Sequence, residues 1–303
     1  MPMPSAIRLG CGNSSRFSSP EIMKHIMEHI ASKYFLSIKT VTPLSGGDIN
    51  KVYHLKTPDE EFVLKLNQSL RYPGMFEAEA KGLDLLRQSN SFKIPKVIGH
   101  DTVDTHCYLL MEYIPSGDAT ADTWESFAEA LSKLHSQSYE RFGLDHSNYI
   151  GSLPQYNNWQ VTAADFYITQ RLEPQFRHAS EKGYNFKNLG AFYKVISEAI
   201  PNHRPSLIHG DLWNGNCFIA EDRTPVVIDP AVAFGSREMD LAMMQLFGGF
   251  PATVFSAYAN CAPLEKSWES RIQLWQLYYV LVHLNLFGSG YLNQVQAILS
   301  RYS

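Results

Sequence analysis

Asp211, Asn216 and Asp229 are the residues of this chain whose types and spacing best suit chemistry. They lie in Ile208-His209-Gly210-Asp211-Leu212-Trp213-Asn214-Gly215-Asn216 and in Val226-Val227-Ile228-Asp229-Pro230-Ala231. Between them, residues 217–220 and 225–228 are short, apolar, β-branched runs joined by Glu221-Asp222-Arg223-Thr224, the pattern of a hairpin. A turn centred between Asp222 and Arg223 pairs Asn216 with Asp229, and directly paired residues have Cα atoms about 5 Å apart. A carboxylate and an amide oxygen meeting there suit Mg²⁺, a hard cation that prefers oxygen ligands in octahedral geometry. Asp211 sits just ahead, on a loop held by Gly210 and Gly215, where it can accept a hydroxyl proton. A single aspartate in a turn is usually a turn former; three polar residues at these intervals are more specific and point to phosphoryl transfer. His209 is expected to brace the loop by hydrogen bonding.

The interval from Asp211 to Asn216 matches the kinase catalytic loop, H-R-D-x-x-x-x-N, in which the aspartate takes the substrate proton and the asparagine holds metal. The elements needed to present a nucleotide to it stand upstream. Residues 38–44, 52–56 and 62–66 read as strands, with the glycine-rich turn Ser45-Gly46-Gly47-Asp48-Ile49-Asn50 between the first two. Gly46 and Gly47 let backbone N–H groups approach phosphate oxygens closely; on its own a Gly-Gly turn more often closes an ordinary hairpin, and it is Lys65 that favours phosphate. In Phe62-Val63-Leu64-Lys65-Leu66 the alternation puts Val63 and Lys65 on one face, and a turn at Pro58-Asp59 sets Lys65 opposite Val52. A lysine among apolar neighbours needs a partner, because an unpaired buried ammonium is costly. Residues 76–87 read as a helix on which Glu79 shares a face with Phe76, Leu83 and Leu86, whereas Glu77 falls with Lys81 and Asp84. Glu79 is therefore expected to point inward as the partner of Lys65, as in the kinase lysine–glutamate pair; the alternative is a solvated place on the rim of the stripe.

Two further strands are expected at residues 94–99 and 108–114, and Pro115-Ser116-Gly117-Asp118 then breaks regularity. The boundary between two lobes falls there, with a mobile tail at 1–19, an N-terminal lobe at 20–114 that begins with a packing helix, and a C-terminal lobe at 115–303. By analogy with kinases, backbone groups of Glu112, Tyr113 and Ile114 are expected to bond an adenine ring. Helical periodicity follows at 123–135, 166–176, 189–200, 241–247 and 268–287, with His283 expected as a satisfied core histidine. Residues 147–159 are polar and aromatic and read as a long surface loop.

At 303 residues, with 45% apolar content, two lobes are the ordinary expectation. The formal charge of −4 and the pI near 6.3 supply no electrostatic attraction for nucleic acid or an anionic membrane. No run approaches the ~20 apolar residues of a membrane span. Cys11, Cys107, Cys217 and Cys261 are widely separated and contain no CxxC pair, which disfavours zinc and a disulfide framework and fits a reducing cytoplasm. Leu9-Gly10-Cys11 lacks the preceding apolar region of a lipoprotein signal. Oligomeric state is not legible.

His209-Gly210-Asp211-Leu212-Trp213-Asn214-Gly215-Asn216, Asp229-Pro230-Ala231 and Leu246-Phe247-Gly248-Gly249-Phe250 together resemble the signature of the fructosamine kinases, or ketosamine 3-kinases, which stand with the aminoglycoside phosphotransferases in the protein-kinase-like fold. The resemblance runs from about residue 38 to the C-terminus and is specific from His209 to Phe250. It implies an α+β, bilobal protein-kinase-like fold: an N-terminal antiparallel sheet with one αC-type helix, and a larger, mainly helical C-terminal lobe. It implies transfer of phosphate from ATP to the 3-hydroxyl of a free or protein-bound ketosamine, after which the adduct breaks down. Carried across, Asp211 is the base, Asn216 and Asp229 hold Mg²⁺, Lys65 contacts the α- and β-phosphates, Glu79 pairs with it, and residues 45–50 cover the phosphates. Some members carry a cysteine where Asp48 stands here, which puts redox control through that position in doubt. Trp213 and Asp240 are candidate substrate contacts. The indole of Trp213 suits a sugar C–H face, and its alternative is packing beneath the loop; the alternative for Asp240 is an ion pair with Arg237. The rival functions are a kinase of the same fold acting on an aminoglycoside, choline or another amino alcohol, and a nucleotide-binding pseudokinase scaffold.

Overall fold

The computed structural model describes residues 20–44 and 49–302. Gly46, Gly47 and the rest of 45–48, together with the tail at 1–19 and its Cys11, lie outside the described residues. Five strands, β1 (Thr40–Leu44), β2 (Lys51–Lys56), β3 (Glu61–Gln68), β4 (Val97–Val103) and β5 (His106–Glu112), form one antiparallel sheet in the order β1-β2-β3-β5-β4. The alternation in β3 divides it cleanly. Phe62, Leu64 and Leu66 are buried with Leu55, Tyr108 and Leu110 against Ile26 and Ile30 of helix α1 (Pro20–Tyr34). Val63 and Lys65 point to the other face, where helix α2 (Met75–Gln88) packs Phe76, Leu83 and Leu86 against Leu109 and Met111. The register pairs Val52 with Lys65, as the sequence leads one to expect.

The rest of the chain is mainly helical: α3 (Ala121–Ser136), α4 (Ala163–Phe166), a π-helical stretch (Tyr167–Leu172) running into α5 (Glu173–Glu181), α6 (Leu189–Ala199), α7 (Arg237–Leu246), α8 (Ala252–Cys261), α9 (Ile272–Phe287) and α10 (Leu292–Arg301). Helix α9 is buried nearly all round and forms the axis of the largest core cluster. That is why its sequence lacks an amphipathic stripe. No described helix is long and apolar enough to cross a membrane.

Residues 147–159 correct the sequence reading. They form a hairpin, β6 (Asn148–Ile150) and β7 (Leu153–Gln155), and Asn148, Gln155 and Asn157 are buried. The polarity that suggests a surface loop is instead satisfied internally, as described below. Two short strands escape sequence reading altogether: β8 (Ser206–Ile208) pairs with β11 (Ala233–Gly235), setting Ile208 opposite Ala233. The segment from His209 to Val232 is thus an excursion clamped at both ends by one ladder.

Candidate active site

That excursion contains the hairpin of β9 (Cys217–Ile219) and β10 (Pro225–Val227), whose register differs by one residue from the expected one. Ile219 pairs with Pro225 and Cys217 with Val227, so Asn216 stands opposite Ile228, whose N–H donates to the Asn216 carbonyl at 3.0 Å. The cause is the turn. Arg223 adopts φ +67° and Ala220 bonds Thr224, which makes a three-residue loop of the type that ends in a left-handed residue. A one-residue slip turns a side chain to the opposite face of a strand. Asp229 nonetheless returns to the site because it lies beyond β10 and is itself left-handed, with φ +55°. Strained conformations of this kind in non-glycine residues concentrate at functional sites.

The Asn216 amide donates to the Asp211 carbonyl at 2.9 Å and to Asp211 Oδ2 at 3.2 Å, with a longer contact of 3.5 Å to the Asp229 carbonyl. Its Oδ1 accepts no hydrogen bond from a described residue. Burial, reinforced by the nearby Asp229 carboxylate, pushes the Asp211 carboxyl up to about 7. Lys65 is 4% exposed. Its ammonium donates to Glu79 Oε1 at 2.5 Å and also to Asp229 Oδ1. Burial works against that charge, but the Asp229 and Glu79 carboxylates outweigh it and hold the lysine above its ordinary value. Glu79 therefore points inward, as its helical periodicity indicates.

His209 is buried and braces the loop. Its Nε2–H donates to the Ile228 carbonyl at 2.9 Å, leaving Nδ1 to accept from the Asp211 N–H at 3.3 Å. Burial lowers its pKa, in keeping with this neutral form. Gly210 has φ +82°, and a Cβ there would lie 2.0 Å from the Ala231 carbonyl oxygen, so no other residue fits this crossing.

Asp240 requires a correction. It is wholly buried and does not reach the cleft. Its carboxylate accepts from the His209 and Gly210 N–H groups at 2.7 and 2.8 Å and from His135 Nε2 at 3.2 Å, so it holds the loop's backbone instead of touching substrate. Nor does Arg237 pair with it; that guanidinium donates to the carbonyls of Ala262 and Pro263. His283 is likewise no core histidine. It is half-buried, donates from Nδ1 to the Tyr279 carbonyl at 2.8 Å, and lines the cleft.

Lys65, Glu79, Asp211, Asn216 and Asp229 all line one cleft of about 560 Å³, and Trp213 lies on its wall. The indole is 39% exposed and lies over Gly215, where a Cβ would meet the ring at 2.2 Å. Glu112, Tyr113 and Ile114 do not line this cleft. The Glu112 and Tyr113 N–H groups are already bonded to the carbonyls of Lys96 and Glu61, whereas the Ile114 N–H donates to no described residue. Ile114 packs with Ala220 and Val226, and Phe218 and Ile228 lie against them, half-buried.

Sequence reasoning missed the amides behind the site. Gln155 Nε2 donates to the Ala231 carbonyl at 3.1 Å and to Asn148 Oδ1 at 2.7 Å, Asn148 donates to the Val232 carbonyl at 2.9 Å, and the Tyr278 hydroxyl donates to Gln155 Oε1 at 2.7 Å. These groups fix the backbone just after Asp229. Only the density of amides in 148–157 hints at them.

The donors at the site are the Asp229 carboxylate and the Asn216 amide oxygen, an all-oxygen set that fits a hard divalent cation. Among the described residues no group of three or more His, Cys, Asp or Glu side chains is arranged to hold a metal, so the amide of Asn216 would complete the set.

The sequence model of the fructosamine kinase family matches residues 18–303. The chain is 38% identical over 268 residues to a probable ketoamine kinase of Enterococcus faecium, covering 86% of this chain and 95% of that one. It is 35% identical over 261 residues to the probable ketoamine kinase YniA of Escherichia coli, covering 85% and 91%. Among solved structures, a Thermobifida fusca protein ascribed to the fructosamine-3-kinases superposes with a TM-score of 0.82 at 32% identity, covering 90% of this chain and 96% of the other. The aminoglycoside phosphotransferase APH(4)-Ia superposes with a TM-score of 0.61 at 16% identity, covering 93% and 99%, a likeness of fold alone. The chain has the α+β protein-kinase-like fold, belongs to the fructosamine kinase family and is an ATP-dependent phosphotransferase.

Proposed function

We propose that this enzyme transfers the γ-phosphoryl group of ATP to the 3-hydroxyl of a ketosamine, a sugar joined to an amine by glycation, and so takes part in deglycation. The observation that carries this reading is the convergence of Asp211, Asn216 and Asp229 with the Lys65–Glu79 pair in a single cleft. Asp211 is the general base: it orients the acceptor hydroxyl and takes its proton as the new P–O bond forms and the bond to the β-phosphate oxygen breaks. A carboxyl raised to about 7 by burial is well matched to that task near neutral pH. Lys65, steadied by Glu79, contacts the α- and β-phosphates. Asn216 Oδ1 and the Asp229 carboxylate hold Mg²⁺, which when bound neutralises charge on the phosphate oxygens. The Ile114 N–H, which donates to no described residue and adjoins the apolar patch of Ile114, Phe218 and Ile228, is the donor best placed for adenine, with Glu112 and Tyr113 lending carbonyl groups only. Trp213 stacks on the sugar.

The division at residue 114 follows from the same reading, with the nucleotide held by 20–114 and the acceptor by 115–303. The reading places the enzyme in the cytoplasm, where its phosphoryl donor resides. A coupled assay of ADP release against a fructose–lysine adduct, a ribulose–lysine adduct, kanamycin and choline tests it. Turnover with the two ketosamines is expected, and turnover with kanamycin or choline alone would contradict the acceptor while leaving the kinase reading intact.

A further inference from the structure

Strand β3 runs from the segment assigned to adenine toward the far end of the cleft. At its start the Glu61 carbonyl accepts from the Tyr113 N–H and Phe62 pairs with Glu112. Lys65 stands at its middle, and Asn67 follows two residues later on the same face. A strand rises about 3.3 Å per residue, so Asn67 lies roughly 7 Å beyond Lys65 as seen from the adenine end. A nucleotide whose adenine meets Ile114 and whose α- and β-phosphates meet Lys65 directs its γ-phosphate toward that end of the strand.

Asn67 is buried, and the backbone fixes which way its amide faces. Its Oδ1 accepts from the Gln68 N–H at 2.7 Å, which leaves Nδ2 to donate to Asn50 Oδ1 at 2.6 Å and to lie 3.5 Å from Met75 Sδ of α2. The orientation passes on to Asn50, the residue before β2. With its oxygen taken by Asn67, its Nδ2 carries two hydrogens and donates to no described residue. Asn50 lines the cleft together with Lys65, Asp211, Asn216 and Asp229, and none of those carboxylates accepts from it. Its neighbour Ile49 reaches toward the C-terminal lobe: a Cβ on Gly151 would lie 3.4 Å from Ile49 Cδ1. An oriented amide donor with no protein acceptor, beside a buried cation, suits an anionic oxygen.

We propose that the Asn50 amide, turned by Asn67, donates a hydrogen bond to an oxygen of the γ-phosphoryl group of ATP and so holds the group that is transferred. This rests on the placement of adenine and of Lys65 in the proposed function. Asn50 then grips the γ-phosphate from the sheet side, while Asn216 and Asp229 approach through the metal from the other lobe.

The test titrates two variants with MgATP and with MgADP, which differ by the γ-phosphate alone. Asn50→Ala removes the donor without adding charge. Asn50→Asp keeps an oxygen for Asn67 Nδ2, and with it the contact that orders the segment, but puts a second acceptor where the donor stood. Asn50→Ala is expected to weaken MgATP about tenfold, the scale of one hydrogen bond to a charged group, while MgADP affinity stays within about twofold; Asn50→Asp should weaken MgATP further, and by more than it weakens MgADP. Equal losses for the two nucleotides in Asn50→Ala would overturn the contact and leave Asn50 a purely structural part of the segment. MgATP affinity unchanged in Asn50→Ala would also overturn it, even with a loss in Asn50→Asp, which would then report only repulsion between charges. Failure of the underlying reading shows separately: Lys65→Met with wild-type MgATP affinity would remove the nucleotide placement itself, whichever way Asn50 behaves.

Discussion

The Lys65 ammonium, on the central strand β3, bridges the Glu79 carboxylate of α2 and the Asp229 carboxylate that follows β10, two groups 150 positions apart in the chain (79 and 229). One cation thus ties the sheet to the metal-side loop. In the proposed complex Lys65 turns to phosphate and Asp229 to Mg²⁺, so binding MgATP exchanges this contact for two others. Lys65→Met should cost stability, because Glu79 would be left buried without its cation; breaking such a pair costs roughly 3 kcal/mol. Urea denaturation measures that loss, and calorimetric titration should show MgATP affinity reduced at least about tenfold. Unchanged affinity would remove Lys65 from the phosphate site.

Asp240 separates a positioning role from a binding one. Asp240→Asn keeps the size of the side chain but offers one acceptor oxygen to two loop N–H groups. The expected result is a kcat lowered by about tenfold to a hundredfold with KM for the acceptor nearly constant, since the loop holding Asp211 is loosened. Steady-state kinetics decide it, and a rise in KM at unchanged kcat would restore Asp240 as a substrate contact.

Gln155→Leu tests the amides behind the site. It deprives the Ala231 carbonyl of a donor and leaves the Tyr278 hydroxyl and Asn148 Oδ1 each short of a partner. Buried polar groups stranded in this way cost about 1–3 kcal/mol each when no water reaches them. A thermal melt lowered by several degrees is expected, together with weaker Mg-dependent nucleotide binding through a displaced Asp229. A stable variant with wild-type binding would show that 148–157 does not position the loop.

Much of the site was legible because its signals are local. The alternation of β3 and the helical stripe of α2 place Lys65 and Glu79 on facing surfaces without knowledge of the rest of the fold. The expected pairing of Asn216 with Asp229 is one residue out of register, since no residue in Glu221-Asp222-Arg223-Thr224 announces that Arg223 turns left-handed, although both residues line the same cleft. Asn148 and Gln155 are hard to place from sequence because their partners are the backbone carbonyls of Val232 and Ala231, distant in the chain. Polar residues signal exposure only when no such partners exist. Asp240 and His283 failed to show for the same reason: residues 209 and 240, and residues 247 and 283, become neighbours only once α7 and α9 have packed together.

His203 gives the fold a defined response to acid. Its Nδ1–H donates to the Pro201 carbonyl at 2.9 Å, while its buried Nε2 has no partner among the described residues. Burial lowers its pKa, so the unfolded chain takes up a proton below about pH 6.5 that the folded chain resists. The contribution to stability is present above that pH and lost as pH falls. His203→Gln removes the titration, and the stability of wild type relative to this variant should fall between pH 7.5 and 5.5 in urea denaturation. Parallel pH profiles would contradict the assignment.

The most direct measurement is phosphoryl transfer by Asp211→Asn to a fructose–lysine adduct, taken alongside its titration with MgATP. The account predicts nucleotide affinity within a few-fold of wild type and turnover reduced by about a thousandfold, the scale of a lost general base. Turnover close to wild type, with binding intact, would contradict it.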